Sequence, residues 1–479
     1  MALRINTNIE AIRALRNLRS AERSQAVSLE RLSTGLRINR ASDDPSGLVI
    51  SEQLRAQIQA LKQASENTQN ATNLVGTADG ALQQIHNLLN QIRGSVLVAL
   101  NGASPDQVAA EQAAVNEAIS AIDRVAQTTR FGNRELLNGN SGYTVTATNA
   151  NISNLELSKF IFAPGSTSRT VSVAYTTLAE RATLTGIGAA GAAGATLRIT
   201  GALGSREVTV AALATAAQVG AAINTVAQET GVFADGLGAA FTDDFGSNQF
   251  MNIEVLSGAV AGLGATTTDT GVDGVASING ATFTGRGLHF SILLNDAQFE
   301  FDFLAATTTA GGPYTFSVAR SGISFQVNET ANPDDRISLG IRDISATRLG
   351  YATRLDELAN AATGSSVNEG GFLSSLVTGA GNDLTANPVN ALRILDAAQA
   401  SVSRLRGFLG GIQKFNLEPN LANLEVTIEN ITAAESAIRD LDFAEESAQL
   451  ARAQILYQSG IAVLGSANLA AQNVLALIQ

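Results

Sequence analysis

The stretch that decides the fold covers residues 75–100 and reads VGTADGALQQIHNLLNQIRGSVLVAL. Its apolar residues recur at steps of three or four, at Val75, Ala78, Leu82, Ile85, Leu89, Ile92, Val96 and Leu100. This spacing puts them on one face of a helix and is typical of a coiled coil or a helical bundle. The sequence therefore predicts a long helix with one buried face.

The same spacing extends outward and returns near the other end of the chain. It is found at Leu54, Ile58 and Leu61 in the same helix, at Val108, Val115, Ile119 and Ile122 in a second, at Leu392, Leu395, Val402, Leu405, Leu409 and Ile412 in a third, and at Leu421, Leu424, Ile428, Ile431, Ile438 and Leu441 in a fourth. Asp44 before Pro45 indicates a helix start, Asn101-Gly102 separates the first two helices, and Asn138-Gly139 predicts the end of the block.

Between the helical ends, from about residue 141 to 350, the chain is rich in Gly, Thr, Val and Ala. Alternating runs at 143–148 and 170–174 predict strands. Because the two ends are alike and the middle differs, we expect the ends to pair and the middle to be an insertion. The predicted fold is multidomain and mainly α-helical, with a coiled-coil or bundle core built from both termini and a β-rich (α+β) outer insertion.

The outermost forty residues at each end have weaker apolar stripes but opposite charge. Residues 1–40 contain eight arginines and three glutamates, whereas residues 429–479 contain six acidic residues and two arginines. Opposite charges beside apolar seams set partner choice in coiled coils. Two independent solvated helix faces would show the same charges, but two complementary runs at opposite termini favour pairing.

Composition excludes several classes of protein. The chain has no Cys, which rules out a thiol nucleophile, a disulfide framework and a cysteine-ligated metal, and it has two His, at 86 and 289. A net charge of −12 argues against nucleic-acid binding. No apolar run is long enough to span a membrane, and the first residues lack the apolar core of a cleavable secretory signal. We therefore expect no nucleic-acid partner, no membrane partner and no metal.

Catalytic motifs are weak or missing. Gly186–Gly191 matches GxGxxG, but the next residues predict a strand where a dinucleotide site needs a helix. No lysine follows a glycine, so a P-loop is absent, and neither His lies in HExxH. Asp43 and Asp44 could be paired carboxylates, but helix capping explains them more simply. The sequence predicts no enzyme, no catalytic residue and no cofactor.

Five further segments of the helical ends carry recognisable motifs. They are Ser28–Gly47 (SLERLSTGLRINRASDDPSG), Asn67–Ala71 (NTQNA), Thr77–Leu82 (TADGAL), Asn430–Glu445 (NITAAESAIRDLDFAE) and Ala470–Ile478 (AAQNVLALI). Together these segments resemble bacterial flagellin. Phe325–Asn328 with Ile337–Ile341 resembles the β-hairpin beside the filament core of that family. Ala221–Asn224 and Thr230–Ala234 resemble the hook-IN module of some flagellin outer domains.

The resemblance implies a layered filament subunit. Residues 1–44 and 440–479 would form the inner coiled-coil core, and 45–140, 322–350 and 388–440 a helical rod with the β-hairpin. Residues 141–321 would form a surface-exposed, variable, hook-IN-like β-rich region, and 351–387 a loop excursion. The terminal stripes supply the predicted assembly seam, which comprises Ile5, Ile9, Ile12, Leu29, Leu32, Leu36, Ile438, Leu441, Ile455, Leu469 and Val474.

The resemblance also implies the function and the partners. The chain would leave the cell by flagellar type III export without a cleavable signal peptide and would polymerise outside the cell into the filament that drives swimming. Its partners would be further copies of itself, an export chaperone at the C-terminal region, and the cap and junction proteins. Alternatives are a hook–filament junction protein of the same export system and an adhesin or ligand-binding module in 141–321.

One family property is expected to be weak. Flagellins sensed by the flagellin-sensing Toll-like receptor carry a Gln-Arg-x-Arg-Glu-Leu stretch, and the aligned residues here are Asn90–Ser95, NQIRGS. Arg93 and the seam residues Leu89 and Ile92 match, and the usual Glu of the second helix falls at about Ala121. Because a bidentate cation and a carboxylate are lost, we expect weak or no receptor activation.

Overall fold

The computed structural model describes residues 8–162, 166–294, 296–304, 311–319, 321–330, 332, 335–350 and 371–478. The chain divides into two compact units, residues 1–66 with 420–479 (the terminal unit) and residues 67–419 (the central unit). The helices, numbered in chain order, are α1 Ile9–Thr34, α2 Pro45–Leu100, α3 Pro105–Thr128, α4 Ala216–Asn224, α5 Ala227–Thr230, α6 Pro388–Ile412, α7 Glu418–Arg439 and α8 Phe443–Ile478.

The predicted apolar face of α2 is confirmed over most of its length. From Val75 to Val96 every predicted position is at most 1% exposed, whereas Leu100 is 36% exposed. Leu100 differs because it is the last residue of α2, beside the Asn101-Gly102 turn, where Gly102 has φ +76°. The helix predicted from the spacing of Leu392 to Ile412 is α6. It contributes Leu395, Val402, Leu405, Leu409 and Ile412 to the same core.

The start of α2 shows why two aspartates stand together. The Asp44 Oδ1 atom accepts a hydrogen bond from the Gly47 N–H at 2.9 Å, which caps the helix that begins at Pro45. The Asp43 Oδ2 atom accepts from the N–H groups of Asn39 and Arg40 and holds the preceding loop. The hydrogen bond from Arg40 lowers the pKa of Asp43, since it stabilises the ionised carboxylate.

The predicted end of the first helical block was ten residues too late. Helix α3 ends at Thr128, and a short hairpin follows, β1 Arg130–Phe131 and β2 Arg134–Glu135. Thr129 is extended, with ψ +113°, and Gly132 has φ +59°, so the chain leaves the helix and turns before Asn138-Gly139 is reached. Leu136 and Leu137, which follow the hairpin, are fully buried.

Part of the predicted loop excursion packs into the core. Residues 351–370 lie outside the described residues, but a 3₁₀ turn at Leu373–Leu376 lies beside α3 and α6. Leu373, Leu376 and Leu384 are at most 3% exposed in the same core as α2. The Gly- and Ser-rich composition of this segment gave no sign of these three anchors.

The middle of the chain is the predicted β-rich region. Its strands are β3 Thr144–Thr148, β4 Ile152–Phe160, β5 Ser168–Thr177, β6 Thr183–Thr185, β7 Ala190–Gly201, β8 Gly204–Val210, β9 Val232–Ala234, β10 Ala239–Thr242, β11 Phe250–Val260, β12 Thr266–Thr270, β13 Val275–Ile278, β14 Ala281–Thr284, β15 His289–Leu293, β16 Ala297–Phe303 and β17 Gly311–Ala319. They form sheets of order β6-β10-β9, β12-β11-β7-β8, β14-β13-β5-β17-β3 and β15-β16-β4. Strand β7 begins at Ala190, inside the GxGxxG motif, so a strand and not a helix follows the first two glycines, and Gly191 lies within that strand.

Aromatic side chains fill one core of this region. Phe160, Phe290, Phe299, Phe301, Phe303 and Phe316 are fully buried. Their rings meet mainly edge to face or stacked, for example Phe299 with Phe316 at a centroid distance of 5.3 Å. The entry and exit strands, β3 and β17, pair antiparallel with Thr144 opposite Ala319. The expected hairpin follows as β18 Ile323–Gln326 and β19 Arg336–Leu339, with Phe325 opposite Ile337.

Candidate assembly surface

The two ends of the chain lie side by side in the terminal unit. Helices α1 and α8 run antiparallel, because the Asn8 side chain donates to the Ala467 carbonyl at 2.9 Å while Leu36 forms a bridge with Asp440. The Arg37 N–H donates to the Arg439 carbonyl at 2.7 Å and closes this end of the pair. The predicted pairing of head and tail is therefore present within one chain.

Small residues alternate with larger ones in the contact between α1 and α8, which we call the inner seam. On both helices the side chains of the inner seam recur at alternating steps of three and four, so each helix has a seven-residue repeat. The inner seam comprises Ala11, Ala14, Leu18, Ala21, Gln25, Ser28 and Leu32 of α1 with Glu446, Leu450, Ala453, Tyr457, Gly460, Leu464 and Ala467 of α8. The helices approach closely, since a Cβ atom on Gly460 would lie 3.2 Å from Leu18 Cδ1.

Large apolar residues of the same two helices point outward, and we call them the outer stripe. The outer stripe comprises Ile9, Ile12, Leu15 and Leu29 of α1 with Ile455, Leu456, Ile461, Val463 and Leu469 of α8, each at least 37% exposed. On α8, Ile455 and Leu469 share a seven-residue spacing with Ala448 and Ala462. Apolar residues on opposite sides of one helix are typical of a helix enclosed by several neighbours.

No helix in the described part of the chain is long and apolar enough to cross a membrane.

The predicted assembly seam divides between these two faces. Ile9, Ile12, Leu29, Ile455 and Leu469 lie in the outer stripe, while Leu32 lies in the inner seam. Leu36, Ile438 and Leu441 are half-buried where α1, α7 and α8 meet. Ile5 and the side chain of Val474 lie outside the described residues.

Sequence reasoning missed most of the inner seam, apart from Leu32, because it searched for large apolar residues. The signal was present in the seven-residue spacing of Ala14, Ala21 and Ser28, and of Ala453, Gly460 and Ala467. Such residues bury little area, so a hydropathy search passes over them.

The opposite charges of the termini form fewer direct pairs than the complementarity suggests. Arg31 of α1 and Glu446 of α8 form an ion pair with Nη1 and Oε2 at 3.4 Å. Arg13 and Arg40 instead pair with Glu10 and Glu30 of their own segment. Arg439 of α7 pairs with Glu52 of α2 at 2.8 Å, and this hydrogen bond lowers the pKa of Glu52.

Helices α2 and α7 complete the terminal unit. Leu61 and Ala64 pack with Leu424, and each of the three is at most 3% exposed. Ile428 and Ile431 of α7 pack against this cluster. The predicted apolar faces of α2 and α7 therefore pack against each other, through Leu61 on α2 and Leu424 on α7.

Comparisons with known proteins identify the family. The model of the bacterial flagellin N-terminal helical region matches residues 5–142, and that of the C-terminal helical region matches 392–478. Flagellin of Salmonella typhimurium is 29% identical over 527 residues, covering 100% of both chains. B-type flagellin of Pseudomonas aeruginosa is 30% identical over 537 residues, again covering 100% of both. The chain belongs to the flagellin family.

As a member of the flagellin family, the chain is a structural subunit of the bacterial flagellar filament, which serves motility. The alternative, a hook–filament junction protein, is not favoured, since the full-length relatives are flagellins. Among solved structures, FliC of Burkholderia pseudomallei shares 17% identity, covering 72% of this chain and 98% of that chain, at a TM-score of 0.25. So low a TM-score adds nothing to the assignment.

The predicted receptor residues of this flagellin-family chain lie on α2 facing α6. Leu89 and Ile92 are core side chains, 0% and 1% exposed, so they offer no side-chain surface to a partner. Arg93 is half-buried, and its Nη1 atom donates to Asp396 at 2.6 Å and to Gln399 at 2.9 Å. Within the described residues, no group of three or more His, Asp or Glu side chains could hold a metal ion.

Proposed function

We propose that the chain polymerises through the outer stripe, which other copies bury. In this proposal residues 1–44 and 440–479 form the inner core of the filament, the rod comprises 45–140, 322–350 and 388–440, and 141–321 faces outward. The observation that carries the proposal is the exposure of Ile455 and Leu469, 63% and 59%, on a helix whose opposite face is already occupied by α1.

Elementary energetics supports assembly through this surface. Full burial of one Leu or Ile side chain contributes about 1.5–3 kcal/mol, and the outer stripe holds several on each helix. The fully buried apolar side chains of the inner seam are Ala14, Ala21 and Ala453, so the helix pair gains little stability by itself. Contacts of head-to-tail type do not close on themselves and therefore propagate as a helical fibre. Ordering of the termini would then be coupled to polymerisation.

The test uses Leu469→Asp, with Leu237→Asp as the matched control. Both leucines are exposed, at 59% and 83%, but Leu237 lies in the β-rich region that faces outward in this proposal. After salt-induced polymerisation, electron microscopy should show filaments for the parent chain and for Leu237→Asp, and none for Leu469→Asp. The thermal transition of the central unit should be the same in all three. Normal filaments from Leu469→Asp would refute burial of this residue between copies.

Export and its partners belong to the same proposal. The chain would leave the cell by flagellar type III export, and an export chaperone would cover the C-terminal region until assembly. The exposed apolar side chains of α8, such as Ile461 and Val463, support this, since an unassembled chain would otherwise aggregate. Cap and junction proteins would contact the filament ends. In cells lacking the flagellar export apparatus, the chain should stay inside; secretion at the parental rate would contradict this route.

Weak activation of the flagellin-sensing Toll-like receptor is the last part of the proposal. It is supported by the engagement of Arg93 with Asp396 and Gln399, and by Gly94 and Ser95 where sensed flagellins carry Glu and Leu. The test combines Asn90→Gln, Gln91→Arg, Gly94→Glu and Ser95→Leu in one variant. Reporter cells should respond weakly to the parent and more strongly to the variant. A strong response to the parent chain would overturn the proposal.

A further inference from the structure

One layer of the inner seam is charged. Glu446 occupies a seam position of α8 and its side chain is 5% exposed, while its partner Arg31 is 25% exposed. Next to them on α1, Ser28 is 4% exposed. The Nε atom of Arg31 and the Oε1 atom of Glu446 are buried and have no hydrogen-bond partner within the described part of the chain. A pair with unsatisfied atoms is costly, and such a pair adds little to stability.

The rest of the inner seam does not define which layer of α1 meets which layer of α8. One position in each seven-residue repeat is small: Ala14, Ala21, Ser28 and Gly35 on the N-terminal side, and Ala453, Gly460 and Ala467 on α8. The other position is larger on both helices, as with Leu18 and Leu464, except at Ala11 near the start of α1. If α1 slipped by seven residues along α8, about 10.5 Å at 1.5 Å per residue, the small positions of one helix would again face mostly the larger positions of the other.

We propose that the Arg31–Glu446 ion pair sets the register of α1 against α8. A slipped register would leave the carboxylate of Glu446 buried in the seam without its cation, which is far more costly than exchanging one alanine layer for another. Arg31 also interacts electrostatically with Asp43, but Asp43 belongs to the N-terminal segment and moves with α1. Glu446 is the member of this cluster that comes from the other helix, so it is the one that reports register.

Register matters because the outer stripe is shared between the two helices. Leu15 and Leu29 come from α1, whereas Ile455 and Leu469 come from α8. A slip of one repeat would displace one half of the outer stripe by about 10.5 Å relative to the other. A neighbouring copy that fits one half would then miss the other. The inference rests on the proposed function for this consequence, but the register itself can be measured separately.

The absence of Cys in the chain gives a clean way to measure register by engineered disulfides. Leu18→Cys with Gly460→Cys reports the observed register, since a Cβ on Gly460 would lie 3.7 Å from Leu18 Cβ. Leu18→Cys with Ala453→Cys, or with Ala467→Cys, reports a slip of one repeat in either direction. All full-length chains are oxidised under polymerising conditions, and gel mobility separates disulfides within one chain from those between chains.

Each cysteine pair is placed in four backgrounds. They are the parent chain, the neutral variant Arg31→Met with Glu446→Leu, the exchanged variant Arg31→Glu with Glu446→Arg, and a control, Arg13→Met with Glu10→Leu. The control removes an exposed ion pair of α1, both of whose side chains are 62% exposed.

We expect the parent, the exchanged variant and the control to favour the observed register by at least about tenfold over either slipped pair. In the neutral variant this preference should fall to within about threefold, while α8 still pairs with α1. An unchanged preference in the neutral variant would overturn the proposal. Loss of all three disulfides would also overturn it, because the charges would then hold the helices together without selecting a register. Filaments from Leu469→Asp would refute the proposed function and leave this measurement valid.

Discussion

The terminal and central units use their apolar residues in opposite ways. In the central unit the large side chains point inward, and Phe299, Phe301 and Phe316 are fully buried. In the helix pair of the terminal unit, Ala14 and Ala453 face inward while Ile12 and Leu469 face solvent. The central unit therefore has its core within one chain. The helix pair is arranged as if the rest of its core were supplied by other copies.

The largest effect that separates the two units should come from Phe299→Ala. This ring contacts Phe160, Phe301 and Phe316, and its loss leaves a cavity that the sheets cannot close. The free energy of unfolding of the central unit should fall by about 3–5 kcal/mol, measured by denaturant titration.

Leu456→Ala is the matched change in the terminal unit. Leu456 is 55% exposed in the single chain. The same titration on the unpolymerised variant should therefore show a free energy of unfolding within about 0.5 kcal/mol of the parent value. A loss as large as that of Phe299→Ala would show that Leu456 is already buried within a single chain.

Limited trypsin digestion of the unpolymerised chain should show the next largest difference. Arg13 and Arg452 are exposed on helices with a thin seam, and both should be cut before the arginines of the central unit. Cleavage at least about tenfold faster would correspond to ~1.4 kcal/mol less protection against local opening. Equal resistance of the two units would contradict coupled ordering of the termini.

Asp44→Ala should have a smaller effect that is confined to the terminal unit. The substitution removes the carboxylate oxygen that accepts the hydrogen bond from the Gly47 N–H at the start of α2. The free energy of unfolding of the terminal unit should fall by about 1 kcal/mol. Hydrogen exchange should rise at the start of α2 and stay unchanged at Val75–Val96. Asp44→Asn keeps the acceptor and should restore most of the protection; failure to do so would assign the effect to the charge.

The smallest effect concerns His289 in the central unit. Its Nδ1 atom lies 2.7 Å from Asp302 Oδ1, and this hydrogen bond, together with the charges of Asp302 and Glu300, raises the pKa of His289. Because the folded-state pKa lies above the unfolded value, this stabilisation is complete below about pH 6.5. It is lost as the pH rises through the raised value.

The measurement compares His289→Gln with the parent chain at about pH 6 and about pH 8. The side chain is 38% exposed, so the loss of unfolding free energy should stay below about 1 kcal/mol and be larger at the lower pH. Burial also raises the pKa of Asp244, so stability due to Asp244 likewise falls as the pH rises. Comparing the variant with the parent at each pH removes this contribution, because both chains contain Asp244. A pH-independent difference would show that folding leaves the pKa of His289 unshifted.

The sequence predicted the elements whose apolar residues recur with a strong period. It did not predict the features that depend on local backbone geometry or on single buried residues. The face from Val75 to Val96, the strands at 143–148 and 170–174 and the hairpin opposite Ile337 were anticipated. The end of α3 was not, because the turn at Gly132 has no apolar pattern. The anchors Leu373 and Leu376 escaped notice because they stand among Gly and Ser residues.

The candidate site shows the same limit more clearly. Leu469 and Ile455 were named from their apolar character, which does not distinguish contacts within a chain from contacts between chains. The inner seam required knowledge of which face of α8 meets α1, and Arg31 and Glu446 stood out only as two charges among many. Pairing of distant segments is set by tertiary contacts, and a single sequence reports those weakly.

The pairing of Thr144 with Ala319 has a practical consequence for protein engineering. Because Thr144 and Ala319 are paired, the segment between them begins and ends at neighbouring positions, about 5 Å apart as in any antiparallel ladder. The entropy of closing a longer or shorter segment between such anchors changes only slowly with its length. Foreign epitopes or small enzymes grafted between the two anchors should therefore leave the helices undisturbed, which suits the chain as a scaffold for repetitive display.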